Sequence, residues 1–319
     1  MTSISHLSGA NLSIATAFAP ASVGNVAVGF DVLGLSVSAI GDRVTARRTN
    51  EPGVRIAAIR GVIEDLPLEA DRNTAGRAVM SIVEDQKLTH GIELTIEKGI
   101  PLGSGLGGSA ASAVAAVVAA NALLPKPLGQ LELLKHAMRG EEVASGSVHV
   151  DNIAPSLFGG LVLTVGVDNP NVKQIPMPPG LRCVLVHPHM VLATKDARKI
   201  LKPTVSLSDV IWQTANLAGF LAGCFTNDLR LIGESLEDVV IEPQRRVLIP
   251  GFDAVKQAAK DAGALGCSIS GAGPTVFAWL PEAKAEAARD GMVAAFKSAG
   301  LASDAWISLL EQKGAHLVS

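Results

Sequence analysis

The chain of 319 residues contains no tyrosine, and aromatic residues make up only 3% of it, which leaves little stacking surface for unpaired bases or sugar rings. Charge of either sign is sparse and nearly balanced. With 27 Lys and Arg against 30 Asp and Glu, the net charge is -3, and no basic field draws nucleic acid to the surface. The three cysteines, Cys183, Cys224 and Cys267, form no CxxC pair and are odd in number, which excludes a zinc knuckle and a disulfide framework and points to a reducing compartment. Neither Lys nor Arg occurs before Arg43, so the cationic start of a secretory signal and the Arg-rich face of a transit peptide are missing. The longest apolar stretch, Ser109 to Leu124, is mostly Ala and falls short of the roughly 20 residues that span a bilayer. These absences predict a cytoplasmic protein without a membrane or nucleic-acid partner.

What is present is an ordinary globular composition, 48% apolar and 18% charged, in a chain long enough for roughly two domains. Short strands are predicted over 11–17, 34–40 and 54–60. The segment GIELTIEKG alternates, with Ile92, Leu94 and Ile96 on one face and Glu93, Thr95 and Glu97 on the other, as a half-exposed strand does. The Ala-rich stretch from Ser109 reads as a buried helix stopped by Pro125, and a second helix is predicted from Gly129 to Glu142. Between 167 and 180 the composition shifts to Asn, Pro and Gly, which reads as a linker and divides the chain into 1–170 and 171–319. Beyond it, strands are predicted at 181–187, 265–270, 275–280 and 303–309, with helices at 206–238, 252–262 and 282–298. This mixture predicts α+β layers, with helices on one face of antiparallel sheets.

The strongest chemical signal is PLGSGLGGSAAS, Pro101 to Ser112, which sets four glycines and three serines directly before a helix. Amides in such a loop approach a phosphate without Cβ obstruction, and the helix start favours an anion. A flexible turn capped by Ser109 is the alternative reading. Gly103, Gly105 and Gly108 satisfy GxGxxG, but the strand before them alternates, whereas a dinucleotide fold needs one buried on both faces. The GxxxxGK[ST] loop is absent, and so is the GxSxG elbow of serine hydrolases.

This loop resembles the ATP-phosphate motif of the GHMP kinases, a family that includes galactokinase and mevalonate kinase. Two more motifs follow the family order. APASVGNVAVGFDVLGL, Ala19 to Leu35, resembles the substrate motif of the members that phosphorylate homoserine, and SISGAGPTVFA, Ser268 to Ala278, resembles the third glycine motif. With HVDNIAP at 149–155, ATKDAR at 193–198 and IEPQRRVLIPGF at 241–252, the resemblance covers nearly the whole chain. It implies the GHMP fold, with an N-terminal domain like ribosomal protein S5 domain 2 and a C-terminal ferredoxin-like α/β sandwich. It also implies ATP-dependent phosphorylation of L-homoserine to O-phospho-L-homoserine in threonine biosynthesis, with Mg²⁺ and in a homodimer.

Carried over residue by residue, the resemblance assigns ATP to Pro101, Leu102, Gly103, Ser104, Gly105, Leu106, Gly107, Gly108, Ser109, Ala110 and Ala111. Ser109 and Glu141 are implied to hold Mg²⁺, and both offer the hard oxygens this ion prefers. Asp31 is implied to meet the substrate ammonium, and Arg198 and Arg245 its carboxylate, for which a guanidinium fork is suited. Asn25, Asn152, Thr194 and Gly271 complete the expected substrate contacts, with Asn152 near the accepting hydroxyl. The catalytic set is thus Ser109, Glu141 and Asn152, without a general base, because an amide cannot take a proton. His149 is a further candidate for shaping the site, whereas His187 and His189 read as a loop-edge pair. Gly108, Gly24, Ala27 and Val28 depart from the residues common in the family. A mevalonate-type kinase and a non-catalytic ATP or amino-acid sensor are the competing readings.

Overall fold

The structure, a computed structural model, describes residues 12–145, 149–166, 169–310 and 313–318. Strands β1 (Ile14–Gly24) and β2 (Leu33–Thr49) run antiparallel along most of their length. β3 (Gly53–Gly61) lies parallel to β4 (Gly91–Lys98), which pairs with the far end of β2. β5 (Leu161–Val165) joins β2 at Leu33–Leu35, β6 (Asn171–Ile175) adds to β5, and β11 (His316–Val318) closes the other edge on β1. Helices α1 (Thr74–Asp85), α2 (Gly108–Asn121), α3 (Gln130–Ser145) and α4 (Val150–Phe158) pack together on this sheet. α2 contacts α1, α3, α4 and the sheet, so it is buried almost all round, and its alanines let these neighbours approach closely. Asn73 starts α1 by accepting from the amides of Ala75 and Gly76.

The second sheet holds β7 (Leu181–Pro188), β8 (Gly266–Ile269), β9 (Val276–Pro281) and β10 (Ser303–Leu309) in the order β10-β7-β9-β8, with every pairing antiparallel. That is the ferredoxin-like arrangement. Side chains alternate along β9: Val276, Ala278 and Leu280 pack toward α9 (Phe252–Asp261) and α10 (Ala285–Ser298), while Phe277 and Trp279 join the core shared with the first sheet. Trp279 meets Phe220 of α6 (Leu207–Thr226), which packs against α7 (Leu229–Ser235), with ring centroids 5.3 Å apart. Among the described residues no helix is long and apolar enough to cross a membrane.

The alternation expected for β4 is present, and the helices predicted from Ser109 and Gly129 are α2 and α3. Three expectations need correction. β1 runs on to Gly24 and β2 to Thr49, because each finds partners along most of its length that propensity alone does not reveal. The stretch expected to be a linker contains β6, since pairing with β5 overrides its Asn and Pro composition; residues 167 and 168 lie outside those described. β6 and β11, both beyond residue 170, belong to the first sheet. α4 is unexpected because Pro155 sits inside it, and Gly159 ends it with φ +81°.

Candidate active site

Three glycine segments meet at the N-terminal end of α2. In the first, Gly103, Gly105 and Gly107 take φ of +60°, +75° and +66°, a left-handed alternation closed to other residues without strain. A Cβ on Gly105 would lie 2.4 Å from the Ser270 carbonyl oxygen and 2.7 Å from that of Gly273. This loop is tied to its neighbours through its backbone. Ser270 Oγ donates to the Gly105 carbonyl at 2.7 Å, the Thr275 amide to that of Ser104 at 3.2 Å, and the Ser22 amide to that of Leu106 at 3.1 Å. Thr275 in turn meets Nδ1 of buried His187 at 3.1 Å, where burial pushes the imidazole down to about 4 and keeps it neutral. His187 is therefore part of the support of the third glycine segment and not a loop-edge residue, while His189 pairs with Asp304.

Asn152 links the first two segments. Its Oδ1 accepts from Ser22 Oγ at 2.9 Å, and it packs against the Cα positions of Gly24 and Gly107. Gly24 is required here, because a Cβ would fall 2.6 Å from Asp151 Oδ2 and 2.9 Å from Asn152 Nδ2. After Gly24 the backbone stays left-handed for three residues, Asn25, Val26 and Ala27, at φ +69°, +44° and +59°. Such backbone persists only where surrounding contacts impose it. Asn25 supplies them: Nδ2 donates to the Gly271 carbonyl at 3.0 Å, and Oδ1 accepts the Asp31 amide at 3.0 Å. From α6, Gln213 donates to the Val28 carbonyl at 3.1 Å.

At the mouth of this turn Asp31 faces Arg198 of α5 (Thr194–Lys199), and Thr194 begins the same short helix. Two guanidinium groups lie over the ring of Phe30, Arg198 at 5.4 Å and Arg245 at 5.2 Å from its centre. Arg245 ends α8 (Glu242–Arg245) and is almost fully buried, donating through Nε to the Ala197 carbonyl and through Nη1 to that of Gly271. Burial, reinforced by Arg198, lowers its affinity for the proton. Asp238 fixes α8 by accepting the amides of Val240, Ile241 and Glu242. Arg246 points outward to Asp253, and Glu142 is exposed.

On the opposite side, Ser109 Oγ donates to Glu141 Oε1 at 2.8 Å, and Glu141 Oε2 is buried with no partner. A hydroxyl and a carboxylate held together, with the second carboxylate oxygen unsatisfied, suit a divalent cation sharing its remaining positions with phosphate and water. His149, at the start of α4, lies 3.9 Å from Glu141 and is held above its ordinary range by that carboxylate.

Asp151 has no role that the sequence alone assigns. It is buried beside the Asn25 turn with Oδ1 unpartnered, and burial, followed by the charge of Asp31, raises its carboxyl to about 6. A folded-state value above the ordinary one means that ionisation opposes folding. The penalty is absent below about pH 3, is still small at pH 4, grows as pH rises, and is complete above about pH 7. Asp151→Asn should therefore raise unfolding free energy at pH 8 by about 3 kcal/mol, since each tenfold change in proton affinity is worth about 1.36 kcal/mol, and change it little at pH 4. Urea unfolding at both pH values measures this; an equal gain at both would remove the electrostatic explanation.

Loops, amide and paired carboxylate with hydroxyl define a small-molecule phosphotransferase of the GHMP type. Residues 73–160 match the family model described as the GHMP kinases N terminal domain, and residues 220–298 match that described as GHMP kinases C terminal. The chain is 52% identical over 305 residues to homoserine kinase of Xylella fastidiosa (strain M12), covering 95% of this chain and 94% of the relative. The crystal structure of homoserine kinase from Cytophaga hutchinsonii superposes with a TM-score of 0.93 at 43% identity, covering 100% of this chain and 99% of that one. Mevalonate kinase of L. major shares the fold at a TM-score of 0.65 and 17% identity, over 91% of this chain and 94% of that one. The chain belongs to the homoserine kinase family of the GHMP kinases.

Proposed function

We propose that the chain transfers the γ-phosphoryl group of ATP to the side-chain hydroxyl of L-homoserine, giving O-phospho-L-homoserine and ADP on the route to threonine. The observation that carries this reading is the convergence of the phosphate-type loop, the Asn152 amide and a clamp of one Asp and two Arg on a single site. The amides of residues 103–109 and the start of α2 bind the phosphates. Ser109 and Glu141 would hold Mg²⁺, which when bound supplies positive charge to the phosphate oxygens. Asp31 binds the substrate ammonium, which mevalonate lacks. Arg198 and Arg245 bind the carboxylate; because Nε and Nη1 of Arg245 are committed to carbonyls, Nη2 is the nitrogen left for it. With Oδ1 of Asn152 occupied by Ser22, its Nδ2 is the end that meets the accepting oxygen. Catalysis then rests on positioning and charge, with the hydroxyl proton lost to phosphate or solvent.

An assay of ADP release from MgATP with L-homoserine, with mevalonate and without acceptor tests this reading. Release should require L-homoserine and should fall about 100-fold or more in Arg245→Ala, the cost of removing a buried charge-assisted contact. Tight ATP binding without turnover on any acceptor would replace the kinase by a sensor. The exposed apolar residues Leu207, Ile211, Trp212 and Phe225 of α6 support a homodimer through this helix. Sedimentation of the wild-type chain at the monomer mass would refute it.

A further inference from the structure

The two groups assigned to opposite ends of the amino acid are bonded to each other. Arg198 Nη1 donates to Asp31 Oδ2 at 3.0 Å, and Arg198 Nη2 donates to Asp31 Oδ1 at 2.8 Å, a two-point fork across 167 positions of sequence. The side chains are 40% and 41% exposed, so solutes reach the pair. Arg198 Nε is buried and unpartnered, leaving the guanidinium incompletely satisfied.

Neither partner depends on the other for its place. The Asp31 backbone, at φ +60°, is fixed by Asn25 Oδ1, which itself is anchored to Gly271. The Arg198 backbone lies in α5, whose Ala197 carbonyl is held by Arg245, and its guanidinium rests on the Phe30 ring. The fork can therefore open by side-chain rotation alone, with both groups still aimed at the same space.

We propose that the Asp31–Arg198 pair is a charge-exchange latch that selects zwitterions. The inference rests on the assignment of Asp31 to the ammonium and Arg198 to the carboxylate. In the free protein the two groups neutralise each other. A ligand with both an ammonium and a carboxylate opens the fork and gives each half a new partner. A ligand with only one of these charges opens the same fork and strands the other half, so it is rejected by more than its own missing contact. Negative selection of this kind needs no steric barrier, which fits a site whose mouth is open to solvent.

Calorimetric titration of the full chain with L-homoserine, 4-hydroxybutanoate (no ammonium) and 3-aminopropan-1-ol (no carboxylate) tests the latch. Asp31→Asn should bind L-homoserine about 100-fold more weakly yet bind 4-hydroxybutanoate about 10-fold more tightly than wild type, because Arg198 is released. Arg198→Gln should do the same for 3-aminopropan-1-ol. Arg198→Lys keeps the charge but cannot form the fork, so it should show part of that gain. The latch is overturned if neither probe gains in the neutral variants, or if Gln gives the full gain and Lys none, which would assign the effect to net charge. Failure of wild type to phosphorylate L-homoserine is a separate outcome: it would overturn the kinase reading, while the probe affinities would still decide the latch.

Discussion

Lys98→Met should cost the fold about 3–5 kcal/mol, the penalty for leaving a buried carboxylate without its counter-ion. Asp42 is fully buried, and Lys98 is 5% exposed. The ammonium bonds the Asp42 carboxylate, donates to the Gly108 carbonyl at 2.8 Å and to Ser112 Oγ at 2.9 Å, and Ser112 passes a hydrogen bond of 2.6 Å back to Asp42. Asp42 also accepts the amides of Gly99 and Ile100. The cluster thus fastens both ends of the phosphate loop, at Gly99 and at Gly108, to β2. A drop in the urea midpoint at constant m is the expected signature. Adding Asp42→Asn to Lys98→Met should recover more than half of the loss, since the stranded charge is then gone. A loss under about 1 kcal/mol for Lys98→Met would show that the site solvates Asp42 by other means.

Gly105→Ala should reduce turnover by about 1,000-fold or more while leaving helix content intact. The new methyl group would demand space held by two backbone carbonyls, those of Ser270 and Gly273, and would sit on a residue at φ +75°. Neither obstacle is a flexible side chain that can swing away. The loop must instead separate from the third glycine segment, breaking the contacts from Ser270 Oγ to Gly105 and from the Thr275 amide to Ser104. Displacing positioned phosphate donors by about 1 Å costs about 100-fold in a reaction that depends on placement, and loss of their charge stabilisation adds to it. ATP affinity and turnover measured side by side check this: unchanged values for both would mean that the loop tolerates the displacement and does not position phosphate.

The chemistry is legible in the sequence where residue type and function coincide. Three glycine-rich segments, the Asp151–Asn152 step and two arginines in ordered motifs are visible as a kinase pattern, and β4 can be read from its alternation. The buried ion pair is legible in principle too. Lys98 continues the phase of Ile92, Leu94 and Ile96, and Asp42 that of Val44 and Ala46, so each charge stands where its strand faces the core. No such signal marks Ser22, Ser270 or Gln213, whose roles come from partners far away in the chain. Nor does any mark Phe30, which reads as an ordinary apolar residue until the fold brings two guanidinium groups to its ring. β6 and β11 are hidden for a related reason: edge strands owe their existence to neighbours, not to propensity.

β11 also brings the two ends of the described chain together in one sheet. The chain leaves the first sheet after Ile175, builds the second sheet, and returns to pair His316–Val318 with β1, with the returning Ala315 amide bonded to the Ser156 carbonyl of α4. Two crossings of the chain and a shared apolar core therefore join the two sheets. Pairing Thr16 with Val318 closes nearly the whole chain into one loop, so this edge depends on both sheets being built before it.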